Sequence, residues 1–201
     1  PESICYCTQS PQDNAEYVLK KPIKHKDVGK ALAMLNLQFK DHESVLAPSV
    51  RAGVHVHINV QELNLTQVAN LTTLYLVVED LLLDVCGEGR QSNLFCLKGC
   101  EAEVMINQIA QFFKTGQVDY LNNNIRYSGI NLAALPKYGS VEFRSLRTPN
   151  NIEDIGKWVD TLHHIFKVSR EYSTPDKIIS GFSGFNPTEF IKKVCPLYAD
   201  G

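Results

Sequence analysis

The sequence predicts an α+β fold, in which helices are interspersed with short strands that pair antiparallel. Residues 65–85 and 151–168 carry apolar side chains at the 3.6-residue period of a helix, whereas residues 51–60 alternate strictly between apolar and polar. Short connections between the predicted strands favour antiparallel pairing. The chain has 201 residues, 44% hydrophobic and 21% charged, which is typical of a globular domain with a sizeable core.

Composition also limits the classes of function that the chain can have. A net charge of −2 gives no broad basic field, which disfavours a nucleic-acid partner and favours small-molecule or peptide chemistry. No apolar run approaches the roughly 20 residues that span a bilayer, and the first residues lack a secretory pattern. We therefore expect no membrane partner and a cytoplasmic location.

The N-terminal elements follow from local pattern. Residues 1–14 are polar and rich in turn formers, which predicts an irregular segment, and Ala15 to Leu19 predicts a short strand that Pro22 closes. Residues 26–39 place apolar side chains on one helical face, which predicts a helix that packs on a sheet.

The strand predicted at residues 51–60 separates two kinds of side chain. Side chains alternate between the faces of a strand, so His55, His57 and Asn59 share one face and valine and isoleucine occupy the other. Residues 65–85 then predict a largely buried helix.

The second half of the predicted domain, which covers residues 15–170, has a similar pattern. We predict an extended piece at 90–96, a helix at 101–114, strands at 125–132 and 139–147, and a helix at 151–168 capped by Asn150 or Asn151. On the second of these strands Glu142 and Arg144 share a face. Residues 171–201 are predicted to wrap the core loosely, with a last helix near 188–194.

Two predicted strands therefore present polar side chains that suit a binding site. Two imidazoles on one face can share a metal, the Glu142 carboxylate suits a hard divalent cation, and the Arg144 guanidinium suits a carboxylate or phosphate. Glu16 adds a third polar strand position. The alternatives are a solvated sheet face with tolerated histidines and a surface salt bridge.

The order of motifs resembles that of the amidoligase family, the carboxylate–amine ligases of phages and bacteria related to glutamine synthetase and γ-glutamylcysteine ligase. The resemblance covers roughly residues 16–166. It rests on the ordered segments Glu16-Tyr-Val-Leu-Lys-Lys-Pro22, Arg51-Ala-Gly-Val-His-Val-His-Ile-Asn-Val60, Arg90-Gln-Ser-Asn-Leu-Phe-Cys96, Arg126-Tyr-Ser-Gly-Ile-Asn-Leu132 and Tyr138-Gly-Ser-Val-Glu-Phe-Arg144.

The resemblance implies a half-barrel of antiparallel strands with helices on its outer face, as in the catalytic domain of glutamine synthetase. It implies an ATP-dependent ligase that joins a carboxylate to an amine through an acyl-phosphate, with Mg²⁺ as cofactor and an amino acid, a peptide or a peptidoglycan fragment as substrate. If the chain is phage-encoded, it would act in the host cytoplasm. The implied metal ligands are Glu16, His55 and Glu142; the implied nucleotide or phosphate contacts are His57, Asn59, Arg90 and Asn131; and the implied catalytic arginines are Arg126 and Arg144.

One departure from the family leaves alternatives open. The family opens with a strand that carries Glu-x-Glu, and nothing before Glu16 matches it. The chain is then a fragment of a longer ligase, which we favour, or a copy whose site has degenerated. A non-catalytic phage structural or host-interaction protein that kept the scaffold is the main alternative function, and a metal-dependent hydrolase using His55, His57 and Glu142 is another.

Overall fold

The computed structural model describes residues 5–9, 15–39, 52–86, 97–99, 103–121, 128–184 and 186–198. Within these ranges the chain is mixed α+β, as predicted, with a two-stranded sheet, a three-stranded antiparallel sheet and seven α-helices. The predicted extended piece at residues 90–96 lies outside them.

The first sheet is a hairpin near the N-terminus. Strand β1, Cys5–Gln9, pairs antiparallel with strand β2, Ala15–Leu19. We predicted β2 but expected residues 1–14 to be irregular, so β1 corrects that expectation. Strand formation depends on the available partner as much as on local composition, and β2 supplies that partner.

The second sheet has the strand order β3-β5-β4. Its strands are β3, Val56–Asn59, β4, Ile130–Asn131, and β5, Ser140–Phe143, with β5 antiparallel to both neighbours. All three are shorter than predicted, although an isolated bridge between Gly53 and Arg147 continues the β3–β5 pairing. Residues 125–127 of the predicted first strand lie outside the described ranges.

Two long helices enclose most of the core. Helix α2, Leu65–Val85, begins with a capping box between Asn64 and Gln67, and helix α5, Ile152–Ser169, begins at Asn151, whose side chain accepts a hydrogen bond from the Glu153 amide. The sequence predicted both helices to within one residue. Most apolar side chains at the helical period of these two helices are buried. Ile155, Val159 and Phe166 are partly buried and Val85 is 40% exposed, whereas the buried members include Leu71, Leu74, Val78, Leu82, Trp158 and Leu162.

Five further helices complete the fold. They are α1, Val28–Phe39, α3, Glu103–Thr115, α4, Leu135–Tyr138, α6, Pro175–Gly184, and α7, Pro187–Val194. Helix α1 packs chiefly on α5, whereas we expected a sheet partner. None of the described helices is long and apolar enough to cross a membrane.

The C-terminal residues differ from the loose wrapping segment that we predicted. Helix α6 packs on α2, and α7 packs on α5 and α6. Ile178, Phe190 and Val194 are buried within the main hydrophobic cluster. The sequence did not predict α6, because Gly181, Gly184 and two serines give it low intrinsic helix propensity; tertiary packing overrides that propensity.

Candidate functional site

The register of the three-stranded sheet places the predicted polar residues on one face. His57 of β3 lies directly opposite Glu142 of β5, and Asn131 of β4 lies opposite Glu142 on its other side. Asn59 is opposite Ser140 in the same register. Because directly opposed residues project to the same face of an antiparallel sheet, these five positions share a face.

Glu142 is the centre of this polar cluster. Its Oε1 atom lies 3.2 Å from His55 Nδ1 and accepts a hydrogen bond of 3.1 Å from Arg144 Nη1. His57 Nε2 approaches the same oxygen to 3.8 Å. The Asn131 amide donates to Oε2 at 2.5 Å. The structure thus brings His55, His57, Glu142 and Arg144 together, and Asn131, which we predicted as a nucleotide or phosphate contact, instead donates to Glu142.

The environment keeps the Glu142 carboxylate ionised. Burial alone would raise its pKa, because a low-dielectric surrounding disfavours the charged form. The hydrogen bond from His55, the charge of Arg144 and the hydrogen bond from Asn131 act against burial and lower the pKa to about 2. A fixed negative charge therefore lies at the centre of the cluster.

His57 is held as a neutral imidazole at neutral pH. Burial is the largest cause that lowers its pKa, even though 42% of the side chain is exposed, and the charges of His55 and Arg144 also lower it. The negative charges of Glu142 and Glu16 oppose this shift. The Ser140 hydroxyl lies 3.1 Å from His57 Nδ1 and orients the ring, so Nε2 is the atom turned towards Glu142.

The other predicted site residues differ in how closely they join the cluster. Glu16 is exposed on β2, and its charge reaches His57. The Asn59 side chain accepts a hydrogen bond from the Gln61 amide, which is a turn contact, and its predicted role beside a nucleotide stays a prediction. Arg90 and Arg126 lie outside the described residues.

Ser140 is a site residue that we did not predict. It lies two positions before Glu142 on β5, so the period of two that placed Glu142 on the polar face also placed Ser140 there. We overlooked it because a lone serine carries no charge or metal affinity that draws attention.

A second buried carboxylate, that of Glu79, is connected to the backbone of Arg144 through loop segments. Glu79 of α2 is buried and accepts a hydrogen bond of 2.7 Å from the Gly99 amide. Leu97 bridges to Ser128, the Gly129 amide donates to the Leu97 carbonyl, and the Arg144 amide donates at 2.8 Å to the Gly129 carbonyl. The backbone at Arg144 is therefore connected to helix α2 through two loop segments.

The chemistry of the cluster suits a divalent cation only in part. In the described ranges, no group of three or more His, Cys, Asp or Glu side chains is arranged to hold a metal ion. The ionised carboxylate of Glu142 is a ligand that Mg²⁺ accepts, whereas imidazoles such as His57 suit transition metals better. Arg144 uses one Nη1 donor on Glu142, and its buried Nε has no hydrogen-bond partner among the described residues, so the guanidinium keeps donors beyond the contact with Glu142.

Comparison with known proteins identified no relative: no family model matches the sequence, and no curated protein or solved structure matches it.

Proposed function

We propose that this chain is the catalytic part of an ATP-dependent carboxylate–amine ligase that forms an amide bond through an acyl-phosphate. The observation that carries the proposal is the convergence of His55, His57, Glu142 and Arg144 on one sheet face. These residues lie in the two strand motifs on which the resemblance to amidoligases depends. In this proposal the three-stranded sheet is part of a half-barrel, with the helices on its outer face.

The charges of the cluster support a phosphate-transfer role. Phosphoryl transfer requires little covalent chemistry from a protein and relies on positioning and on electrostatic stabilisation of the transferred group. Arg144 is anchored by Glu142 through Nη1, so its remaining donors keep a defined direction. The proposed task of this guanidinium is to stabilise the charge of the transferred phosphoryl group or the substrate carboxylate.

Glu142, His55 and Glu16 are the residues that would hold Mg²⁺, and the bound cation would neutralise phosphate charge. Glu142 is ionised far below neutral pH, so it would offer a carboxylate without first losing a proton. Neutral His57, oriented by Ser140, would stand beside the nucleotide as a hydrogen-bonding group. The proposed substrates are an amino acid, a peptide or a peptidoglycan fragment, and the proposed place of action is the cytoplasm, which is that of the host if the chain is phage-encoded.

The test is ADP release from Mg·ATP by the complete natural protein across a panel of amino acids and peptidoglycan fragments. We expect turnover only with a carboxylate acceptor, and Arg144→Ala should lower the rate on the order of 10³-fold, because the lost charge interaction is strongest in the transition state. Arg170→Ala is the matched control, since that exposed arginine lies over Phe166 at the end of α5. Wild-type turnover in Arg144→Ala would contradict the mechanism.

One observation favours a second candidate, a non-catalytic protein that keeps the scaffold. Glu142 Oε1 already interacts with His55 and Arg144, so the cluster can be a self-contained structural network. This candidate predicts that the complete protein binds neither ATP nor a divalent cation. Calorimetric titration with Mg·ATP, and with Mg²⁺, Mn²⁺ and Zn²⁺ separately, distinguishes the non-catalytic protein from the ligase. Tight binding of Zn²⁺ alone would favour a third candidate, the metal-dependent hydrolase.

A further inference from the structure

Two histidines from distant parts of the chain stack on each other where α1 meets α5. His25 lies in the 3-10 turn His25–Asp27 that leads into α1, and His163 lies in α5. Their ring centroids are 3.7 Å apart, with 17° between the ring planes. His25 Nε2 also lies 2.7 Å from Asp160 Oδ1. A ring stack and a polar contact therefore attach the start of α1 to α5.

Among the described residues, helix α1 is attached mainly to α5. It contains no buried residue, and Leu37 is 62% exposed. Leu32 packs over Gly156 of α5, where an added Cβ atom would lie 3.4 Å from Leu32 Cδ1. Because the apolar side chains of α1 are at most partly buried, the histidine contact adds to an attachment that no fully buried side chain secures.

The charges around the stack make this attachment depend on pH. A proton on His163 places a positive charge on a ring stacked against His25, which disfavours that proton, whereas the carboxylate of Asp160 favours it. The pKa of His163 is lowered, first by burial and then by the charges of His25 and Lys167; Asp160 opposes the shift and His164 adds to it slightly. The stack therefore resists protonation of His163.

We infer that His25, His163 and Asp160 form a pH-sensitive latch, which holds α1 on α5 at neutral pH and releases it when His163 is protonated. The attached form takes up a proton at His163 at lower pH than the released form does. The stabilisation is thus complete above the ordinary imidazole pKa near 6.5, and it is lost as the pH falls through the lowered pKa of His163. Release takes up one proton at His163, so the equilibrium changes by at most about tenfold per pH unit.

Release of α1 would also affect the candidate site, because the site residue Glu16 lies on β2. Strand β2 precedes the His25–Asp27 turn and α1, and it carries Glu16, whose charge acts on His57. Tyr17 of β2 contacts Phe39 at the far end of α1, with ring centroids 4.9 Å apart. Because β2 and α1 are held together in this way, release of α1 would also free Glu16 from its place near His57.

Hydrogen exchange of the α1 amides in the full chain tests the latch. Protection would be measured at pH 7.5, 6.5 and 5.5, corrected for the intrinsic pH dependence of exchange and referenced to the α2 amides. We expect α1 protection in the wild type to fall below pH 6.5 by up to about tenfold per pH unit, with α2 unchanged. His163→Phe keeps an aromatic ring for the stack but cannot be protonated, so its α1 protection should no longer fall as the pH decreases below 6.5.

Two more variants complete the test. His164→Gln is the matched control and should retain the pH response, because His164 Nε2 contacts the Lys193 carbonyl instead of the stack. Asp160→Asn removes the negative charge that opposes the lowered pKa of His163, so its α1 should be released at higher pH. The latch is refuted if wild-type protection is the same at all three pH values, if His163→Phe keeps the wild-type response, or if Asp160→Asn leaves the pH of release unchanged.

Discussion

His57 and Glu142 are directly opposed in the register of β3 and β5, with His57 Nε2 3.8 Å from Glu142 Oε1. The two residues are far apart in sequence, so only the antiparallel pairing of their strands creates this contact. The carboxylate is ionised and the imidazole is neutral at neutral pH. Their proximity makes the protonation of each dependent on the other.

We predict that His57 titrates below the ordinary imidazole pKa and that Glu142→Gln lowers its pKa further. Burial is the main cause of the lowered value, and the Glu142 charge is the main opposing cause, so removing that charge removes the opposition. NMR titration of the imidazole signals in the wild type and the variant measures both effects. A rise of the His57 pKa in Glu142→Gln would show that the carboxylate does not act on this ring as described.

We predict that Glu142→Gln destabilises the fold in a pH-dependent manner. The folded-state pKa of Glu142, about 2, is below its reference value of 4.5, so the ionised carboxylate adds stability above pH 4.5 that is lost as the pH falls towards 2. The loss at pH 7 should be roughly 3 kcal/mol in unfolding free energy, since one pKa unit corresponds to about 1.4 kcal/mol.

Urea denaturation of both proteins at pH 7 and pH 3 measures this difference. At pH 3 it should fall to less than half of its value at pH 7, because the unfolded wild-type carboxyl is then protonated. Asp154→Asn is the control: this carboxylate is half-exposed and pairs with Lys157 on the surface, so it should change stability little at either pH. If Glu142→Gln lowered the unfolding free energy equally at both pH values, the loss would come from packing and not from the carboxylate charge.

Much of the fold could be predicted from periodicity, because long helices and alternating strands place apolar residues at fixed intervals. The stripe that contains Trp158 and Leu162 predicted α5, and the alternation at His55 and His57 predicted the polar face of β3. The same alternation predicted the face of Glu142. These patterns are local, and burial of one face enforces them.

The remainder depended on contacts between distant residues. Helix α6 has little local propensity and forms around buried Ile178 against α2. The stack of His25 on His163 joins a turn to a helix, and no local pattern indicates it. The support of Arg144 by Gly129 and α2 is equally non-local. Gly99 and Gly129 both lie close to the Glu79 carboxylate, but nothing in the sequence distinguishes them from glycines of an ordinary loop.

We predict that Leu162→Ala lowers the unfolding free energy by about 2–5 kcal/mol, because it removes a fully buried side chain and leaves a cavity between α5 and its neighbours. Leu37→Ala is the matched control. Leu37 is 62% exposed on α1, so its truncation should change stability by less than about 0.5 kcal/mol. Chemical denaturation measures both, and equal losses in the two variants would contradict the described core.

The last prediction concerns Gly129, which lies where the backbone of Arg144 meets the buried carboxylate of Glu79. A Cβ atom at Gly129 would lie 2.6 Å from Ser145 Oγ and 2.7 Å from Glu79 Oε1, which is too close for either atom to remain in place. We expect Gly129→Ala to cost about 1–3 kcal/mol of stability through overpacking. Because the Gly129 carbonyl accepts the Arg144 amide, the same displacement should also weaken any anion binding by Arg144.

Gly181→Ala is the control for this substitution. Gly181 lies inside α6 with nothing within 4 Å of the added Cβ atom, so alanine there should stabilise the chain by up to about 1 kcal/mol through its higher helix propensity. Thermal melts compare the stabilities, and titration with inorganic phosphate compares anion binding. The two substitutions add the same methyl group. A lower melting temperature in Gly129→Ala together with a higher one in Gly181→Ala would therefore show that the loss comes from crowding at Glu79 and Ser145. A Gly129→Ala protein as stable as the wild type would show that the loop can move away from α2 without cost, and that Arg144 is not positioned through it.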